Sequence, residues 1–233
     1  MQETGNNPNI TTEISIQVSL SGYSFKVYED GVNTLSSSWC NAGSIFTTPQ
    51  LQKHYDRVNI SVFTPKFTLV PEQFFRPEEA RGLLEDVCIL DEHDIVSYEP
   101  MPDFGAYLVY SLTIGENISK ALSVTVLRTD GDSSTPLPEV YYMLESFWNI
   151  PDYNKIMVSY KDGHLYLIIG QGKSLLLCNA YEAVDFTTAL YFIFLAMKKL
   201  QLNPEVSSIC FRTMLDSDEE AVLYRYFKSV EYI

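Results

Sequence analysis

Basic residues are scarce in this chain. Sixteen Lys and Arg stand against thirty Asp and Glu in 233 residues, a formal charge of −14. Nucleic-acid phosphates and anionic membrane surfaces are both recognised by clustered Lys and Arg, so neither is expected as a partner. Cysteine is sparse too: Cys40, Cys88, Cys178 and Cys210 lie scattered with no C-x-x-C pair, and His54, His93 and His164 are far apart. That spacing offers no preassembled zinc site, and the thiols read as reduced, buried small hydrophobes. No apolar run reaches the roughly 20 residues of a membrane-spanning helix. The longest, 188–197, is bounded by Asp185 and by Lys198 and Lys199, and reads as a core helix. Residues 1–9 have neither the basic nor the apolar region of a signal peptide, so the cytoplasm is the expected location. Glycine and proline, 11 each, are too few for a collagen-like or low-complexity chain. Also missing are the G-x-S-x-G elbow, the H-E-x-x-H pair and the G-x-x-x-x-G-K-[ST] loop.

What is present is a pattern for a folded α/β core. The hydrophobic fraction is 46%, and a chain of this length buries roughly 70–75% of its unfolded surface. Ile14, Ile16, Val18 and Leu20 alternate with polar residues, and Tyr23, Phe25 and Val27 continue the period of two beyond Gly22. This predicts a hairpin. A third strand is expected over 35–40, a helix opening at Thr47 or Thr48 with Pro49, strands at 58–63 and 67–70, and a helix over 77–88. The middle predicts strands at 94–99 and 107–112, a helix over 114–122, a strand at 124–127 and a helix from Thr135 to Phe147. After Pro151 the order restarts: a strand at 156–160, the hairpin turn Asp162-Gly163, strands at 165–169 and 174–178, and a long helix over 184–200. A strand at 206–211 and a helix from Asp216 follow. The expected domains are therefore 10–150 and 151–233. Residues 229–233 read as the beginning of a further strand, which suggests a natural end farther on.

Both halves thus show a hairpin, a third strand, a helix, a strand and a helix. Cys40-Asn41-Ala42 precedes Phe46-Thr47-Thr48, as Cys178-Asn179-Ala180 precedes Phe186-Thr187-Thr188. The fold class expected is α/β, with two duplicated RNase H-like subdomains, each a three-strand meander followed by alternating helices and strands.

Residues 14–25 (ISIQVSLSGYSF), 67–71 (FTLVP) and 200–204 (LQLNP) resemble a bacterial family of unknown function with the actin-like ATPase fold. The middle, 107–147, is similar to the linking region of pilus-assembly and secretion-platform proteins of the actin superfamily. The resemblance implies ATP and Mg²⁺, held at an Asp-x-Gly turn closing the first strand of each half. Here the first turn is Leu20-Ser21-Gly22, with Leu at the acidic position. The second is Lys161-Asp162-Gly163, with Lys there and Asp one place late. Asp-Gly is what a type I′ hairpin turn favours. Gly170-Gln171-Gly172-Lys173 joins two predicted strands and opens no helix, so it reads as a turn.

The candidate cofactor-binding residues are accordingly Ser21, Gly22, Lys161, Asp162 and Gly163, with no catalytic or metal-ligating residue assigned. A carboxylate seat for Mg²⁺ is missing from the motif. The leading expectation is a non-catalytic or degenerate member of the superfamily, with no required cofactor, acting through contacts with an unidentified protein partner. One alternative is an active Mg-dependent ATPase with atypical ligands, Asp162 with Ser21 and Lys161 near phosphate. Another is a peripheral scaffold of a pilus-like or secretion assembly, tethered by its partner. The cluster Asp91-Glu92-His93-Asp94 offers a metal or acid/base site but reads better as a solvated loop; Tyr141, Tyr142 and Trp148 offer an exposed protein-binding patch but read better as core.

Overall fold

The computed structural model describes residues 10–113 and 116–233. The chain begins with β1 (Thr12–Ser19), β2 (Gly22–Glu29), β3 (Val32–Ser36), β4 (Arg57–Val62) and β5 (Phe67–Pro71). Then come α1 (Ala80–Glu85), β6 (Val96–Met101), β7 (Ala106–Ser111), α2 (Glu116–Thr125), β8 (Leu137–Pro138) and α3 (Glu139–Phe147). The remainder is β9 (Asn154–Lys161), β10 (His164–Gln171), β11 (Ser174–Glu182), α4 (Phe186–Lys199), β12 (Ser208–Phe211), α5 (Ser217–Leu223) and β13 (Ser229–Tyr232). Two compact units share the chain in alternation. One is Met1–Val62 with Gly115–Leu137, the other Phe63–Ile114 with Pro138–Ile233.

The first unit is built on a sheet ordered β3-β2-β1-β4-β8. Ile14, Ile16 and Val18 are fully buried while Ser15 and Gln17 between them are half-buried. The alternation drives the strand by burying one face. β1 pairs antiparallel with β2 and parallel with β4, and α2 lies against β4.

The second unit holds a sheet ordered β11-β10-β9-β12-β13 and a three-stranded sheet ordered β5-β7-β6. In the larger one β9, β10 and β11 form an antiparallel meander, β12 runs parallel to β9, and β13 parallel to β12. α4 supplies Ala189, Ile193 and Met197 to a core shared with Val158, Leu167 and Phe211. Each such large side chain contributes about 1.5–3 kcal/mol on burial. Asp185 caps α4 by accepting from the Thr188 amide, and Lys198 and Lys199 sit in its last turn, where the helix dipole favours cations. The strand order of the first unit's sheet recurs here: a meander, then the fourth strand parallel to the first, then an outer strand. The duplication expected from sequence is present in the topology.

Several elements differ from expectation. The helix expected after Thr48 is only a 3-10 turn, Pro49–Gln52; four residues with one buried side chain, Leu51, cannot repay helix nucleation. Of the residues expected as a strand at 124–127, the first two end α2 and the others follow it, with the Val126 amide bonded back to Leu122 O. The first two residues expected in that helix, 114 and 115, lie outside the described residues. Residues 77–79 form a 3-10 turn ahead of a six-residue α1. The repeated strings fall at unlike places: Cys40 forms an isolated bridge beyond β3, whereas Cys178 lies within β11.

Candidate functional site

In the first unit Ser21 and Gly22 form the β1–β2 turn. Leu20, at the position where the resemblance implies an acid, points to solvent and is 70% exposed. The Ser21 hydroxyl lies 2.9 Å from that of Ser19, whose oxygen also accepts from the Ser21 amide. Gly22 has φ +136°, a conformation open mainly to glycine. A Cβ there would collide with the Cys40 carbonyl oxygen. That carbonyl accepts from the Tyr23 amide at 2.9 Å, and the Cys40 amide donates to Tyr23 O at 2.6 Å. The glycine is thus demanded by a strand bridging beside it, and the turn supplies hydroxyls but no carboxylate.

In the second unit Lys161, Asp162 and Gly163 form the β9–β10 turn. Asp162 and Gly163 have φ +48° and +74°, the doubly left-handed geometry of a type I′ turn. Asp30 and Gly31, between β2 and β3, adopt nearly the same pair, +49° and +78°. Lys161 Nζ is 3.6 Å from Asp162 Oδ1, the Asp162 carbonyl meets His164 Nδ1 at 3.1 Å, and the Gly163 carbonyl accepts from the Ala183 amide at 2.8 Å. So the structure places two of the candidates together in one turn and the other three in another. Gly172 and Lys173 form the β10–β11 turn, with no helix after them, as the sequence implied. A Cβ on Gly170 would press on the Phe147 ring.

Two carboxylates of the second unit are buried: Asp94, which the sequence offered only within the Asp91–Asp94 cluster, and Glu139, which it did not single out. Glu139, the first residue of α3, is wholly buried; it accepts from Ser159 Oγ at 2.6 Å and Arg212 Nε at 2.9 Å. The Arg212 guanidinium lies 6.0 Å from the Tyr142 ring centre. The half-buried Trp148 stacks on Phe104 at 5.1 Å, in keeping with the core reading. Asp94 is also buried, which corrects the expectation of a solvated loop. Its carboxylate accepts from Lys66 Nζ at 2.5 Å, Thr113 Oγ1 at 2.5 Å, the Asp91 amide at 2.7 Å and Ser111 Oγ at 2.8 Å. Burial alone would raise its pKa, but these donors, the Lys66 bond foremost, hold the group well below the usual carboxylate range. The only sequence signal for either site was an acid near a strand or helix end, because the side-chain partners lie 17 to 73 residues away.

Asp94 takes four protein donors and Glu139 an ion pair with Arg212 and a hydroxyl, which suits structural ion pairs better than ligand binding. Among the described residues no group of three His, Cys, Asp or Glu is placed to hold a metal ion, and no helix is long and apolar enough to cross a membrane.

A family model described as "Protein of unknown function (DUF3822)" matches residues 7–230. The chain belongs to this family. A search of curated proteins gives no match. Among solved structures, the DUF3822 chain is similar to a protein of Bacteroides thetaiotaomicron VPI-5482 with an actin-like ATPase fold and unknown function. The identity is 18%, coverage is 96% of this chain and 91% of that one, and the TM-score is 0.66. It is also similar to a chain of the PilM–PilN type IV pilus biogenesis complex, at 11% identity, 95% and 88% coverage, and a TM-score of 0.51. These likenesses show the fold: the DUF3822 chain has the actin-like ATPase fold that its sequence resembles.

Proposed function

We propose that this protein is a non-catalytic member of the actin-like fold that works through contacts with another protein. One observation carries the reading. At the two turns where the resemblance implies acidic groups, the chain has an exposed Leu20 and a Lys161, while Gly22 is accounted for by the Cys40 carbonyl behind it. Magnesium held through water needs a carboxylate oxygen at such a place. The similar PilM–PilN structure is a type IV pilus biogenesis complex, a precedent for partnering on this fold. The charge of −14 weighs against a nucleic-acid partner, and four unpaired cysteines support a reducing location, the cytoplasm. Along the sequence we read the duplicated halves as 10–150 and 151–233, divided at Pro151, while the folded units alternate as described above. Calorimetric titration with Mg-ATP should give no heat of binding at micromolar protein, and no phosphate should be released. Tight binding with turnover overturns the reading.

The neighbouring Lys161 ammonium and Asp162 carboxylate favour one alternative, an ATPase in which the β9–β10 turn, Lys161, Asp162 and Gly163, supplies atypical ligands. That alternative requires hydrolysis in the wild type and its loss in Asp162→Ala; an unchanged rate removes it.

A further inference from the structure

Large exposed apolar side chains recur through residues 74–98 of the second unit, the stretch that carries α1 and β6 of its small sheet. Phe74 follows β5, Val87 and Ile89 follow α1, Ile95 precedes β6 and Tyr98 lies in β6, all of them exposed; Ile89 and Ile95 stand 88% and 70% in solvent. Phe75, next to Phe74 in the chain, is buried, its ring 4.1 Å from that of Tyr107 and 4.9 Å from that of the exposed Tyr98. The loop bearing Val87, Ile89 and Ile95 is anchored. Arg81 donates to the Asp94 carbonyl at 2.9 Å and to the Asp91 carbonyl at 3.2 Å, and the Asp94 carboxylate gathers four donors. Apolar residues held out in water by so many polar ties form a surface already ordered before anything binds, which lowers the entropic cost of binding.

The charge around them says what fits. Residues 72–99 hold nine carboxylates and two arginines, and Arg81 is itself paired with Glu85 at 2.8 Å. A second copy of this chain would bring the same negative charge, and an anionic membrane would be repelled. We propose that Phe74, Val87, Ile89, Ile95 and Tyr98 form a docking surface for a basic segment of a partner protein, anchored by apolar side chains between its Lys and Arg residues. The proposal rests on the protein-contact reading above and names the chemistry of the partner. Such a contact joins apolar anchors at the centre to charge complementarity at the rim.

The test is to pan random peptides displayed on phage against the full chain, then titrate the enriched peptides by fluorescence anisotropy. The proposal expects peptides rich in Lys and Arg with apolar residues among them. Their affinity should fall about tenfold or more in Ile89→Asp/Ile95→Asp, and again between about 50 and about 500 mM salt. Val206→Asp, at another exposed apolar position of the same unit, adds negative charge away from the surface and should leave affinity within about twofold. Equal thermal midpoints for the variants establish that they fold. Enrichment of acidic peptides, or of none, overturns the proposal, as does a loss of affinity as large in Val206→Asp. So does a wild-type dimer in sedimentation that the double variant dissolves. Binders indifferent to Ile89 and Ile95 sink this surface but leave the protein-contact reading standing, whereas Mg-ATP turnover sinks the non-catalytic reading whatever the peptides do.

Discussion

Gly22→Ala separates a structural glycine from a phosphate-binding one. At φ +136° an alanine carries backbone strain of about 1–3 kcal/mol. Its Cβ also meets the Cys40 carbonyl oxygen, so the strand must draw back and give up the pair of Tyr23–Cys40 hydrogen bonds, about 1 kcal/mol each. The sum is about 3–5 kcal/mol, or roughly 6–20 °C in melting temperature for a chain of this size. Gly31→Ala is the matched control. Its φ is +78°, and a Cβ there meets nothing within 4 Å, so only strain of about 1–2 kcal/mol applies. Urea denaturation of the two variants and the wild type measures the difference. If Gly22→Ala proves no more destabilising than Gly31→Ala, the packing argument is refuted. If it keeps its stability while losing bound nucleotide, the non-catalytic reading falls as well.

Two more predictions concern buried groups. The folded pKa of Asp94 is depressed, so its stabilisation is complete above its unfolded value, near 4, and is lost as pH falls below that. Urea midpoints measured from pH 6 to pH 2 should show the drop, and Asp94→Asn, which leaves the half-buried Lys66 only the exposed Asp91 carboxylate at 3.5 Å, should cost about 1.5–3 kcal/mol at pH 7; a flat profile together with a neutral variant would refute the assignment. Burial pushes the Cys178 thiol up to about 12 and Cys210 up to about 11. Both should react with iodoacetamide at pH 8 at least about tenfold more slowly in the folded protein than in urea, as peptide mass mapping would record.

The parts of the fold legible in the sequence were those whose cause is local. The β1–β2 and β9–β10 hairpins follow from a period of two and, in the second, an Asp-Gly pair whose φ values need those residue types. α5 follows from Asp216, whose side chain takes the Asp218 and Glu219 amides while Glu219 reaches back to close a capping box. Failures came where tertiary contact decides. Val124 and Val126 look like strand residues, yet Val126 is buried at the end of a helix. Thr48-Pro49 opens only a 3-10 turn. At the candidate site, sequence located the turns and their missing acids. It could not reveal that Glu139 takes Arg212 across 73 positions, or that one acid of an apparently solvated Asp-Glu-His-Asp loop turns inward. Ion pairs made by distant residues leave no spacing to read.

The alternation of the two units along the chain, Met1–Val62 with Gly115–Leu137 and Phe63–Ile114 with Pro138–Ile233, governs how the protein can be taken apart and how it is made. No single cut yields two intact pieces: severing after Leu137 spares the first unit but strips the second of its small sheet. During synthesis, β1 to β4 leave the ribosome together, yet their sheet waits for residue 137, by which time the small sheet has already emerged. Expression of isolated fragments should therefore rejoin non-adjacent stretches through a linker rather than truncate.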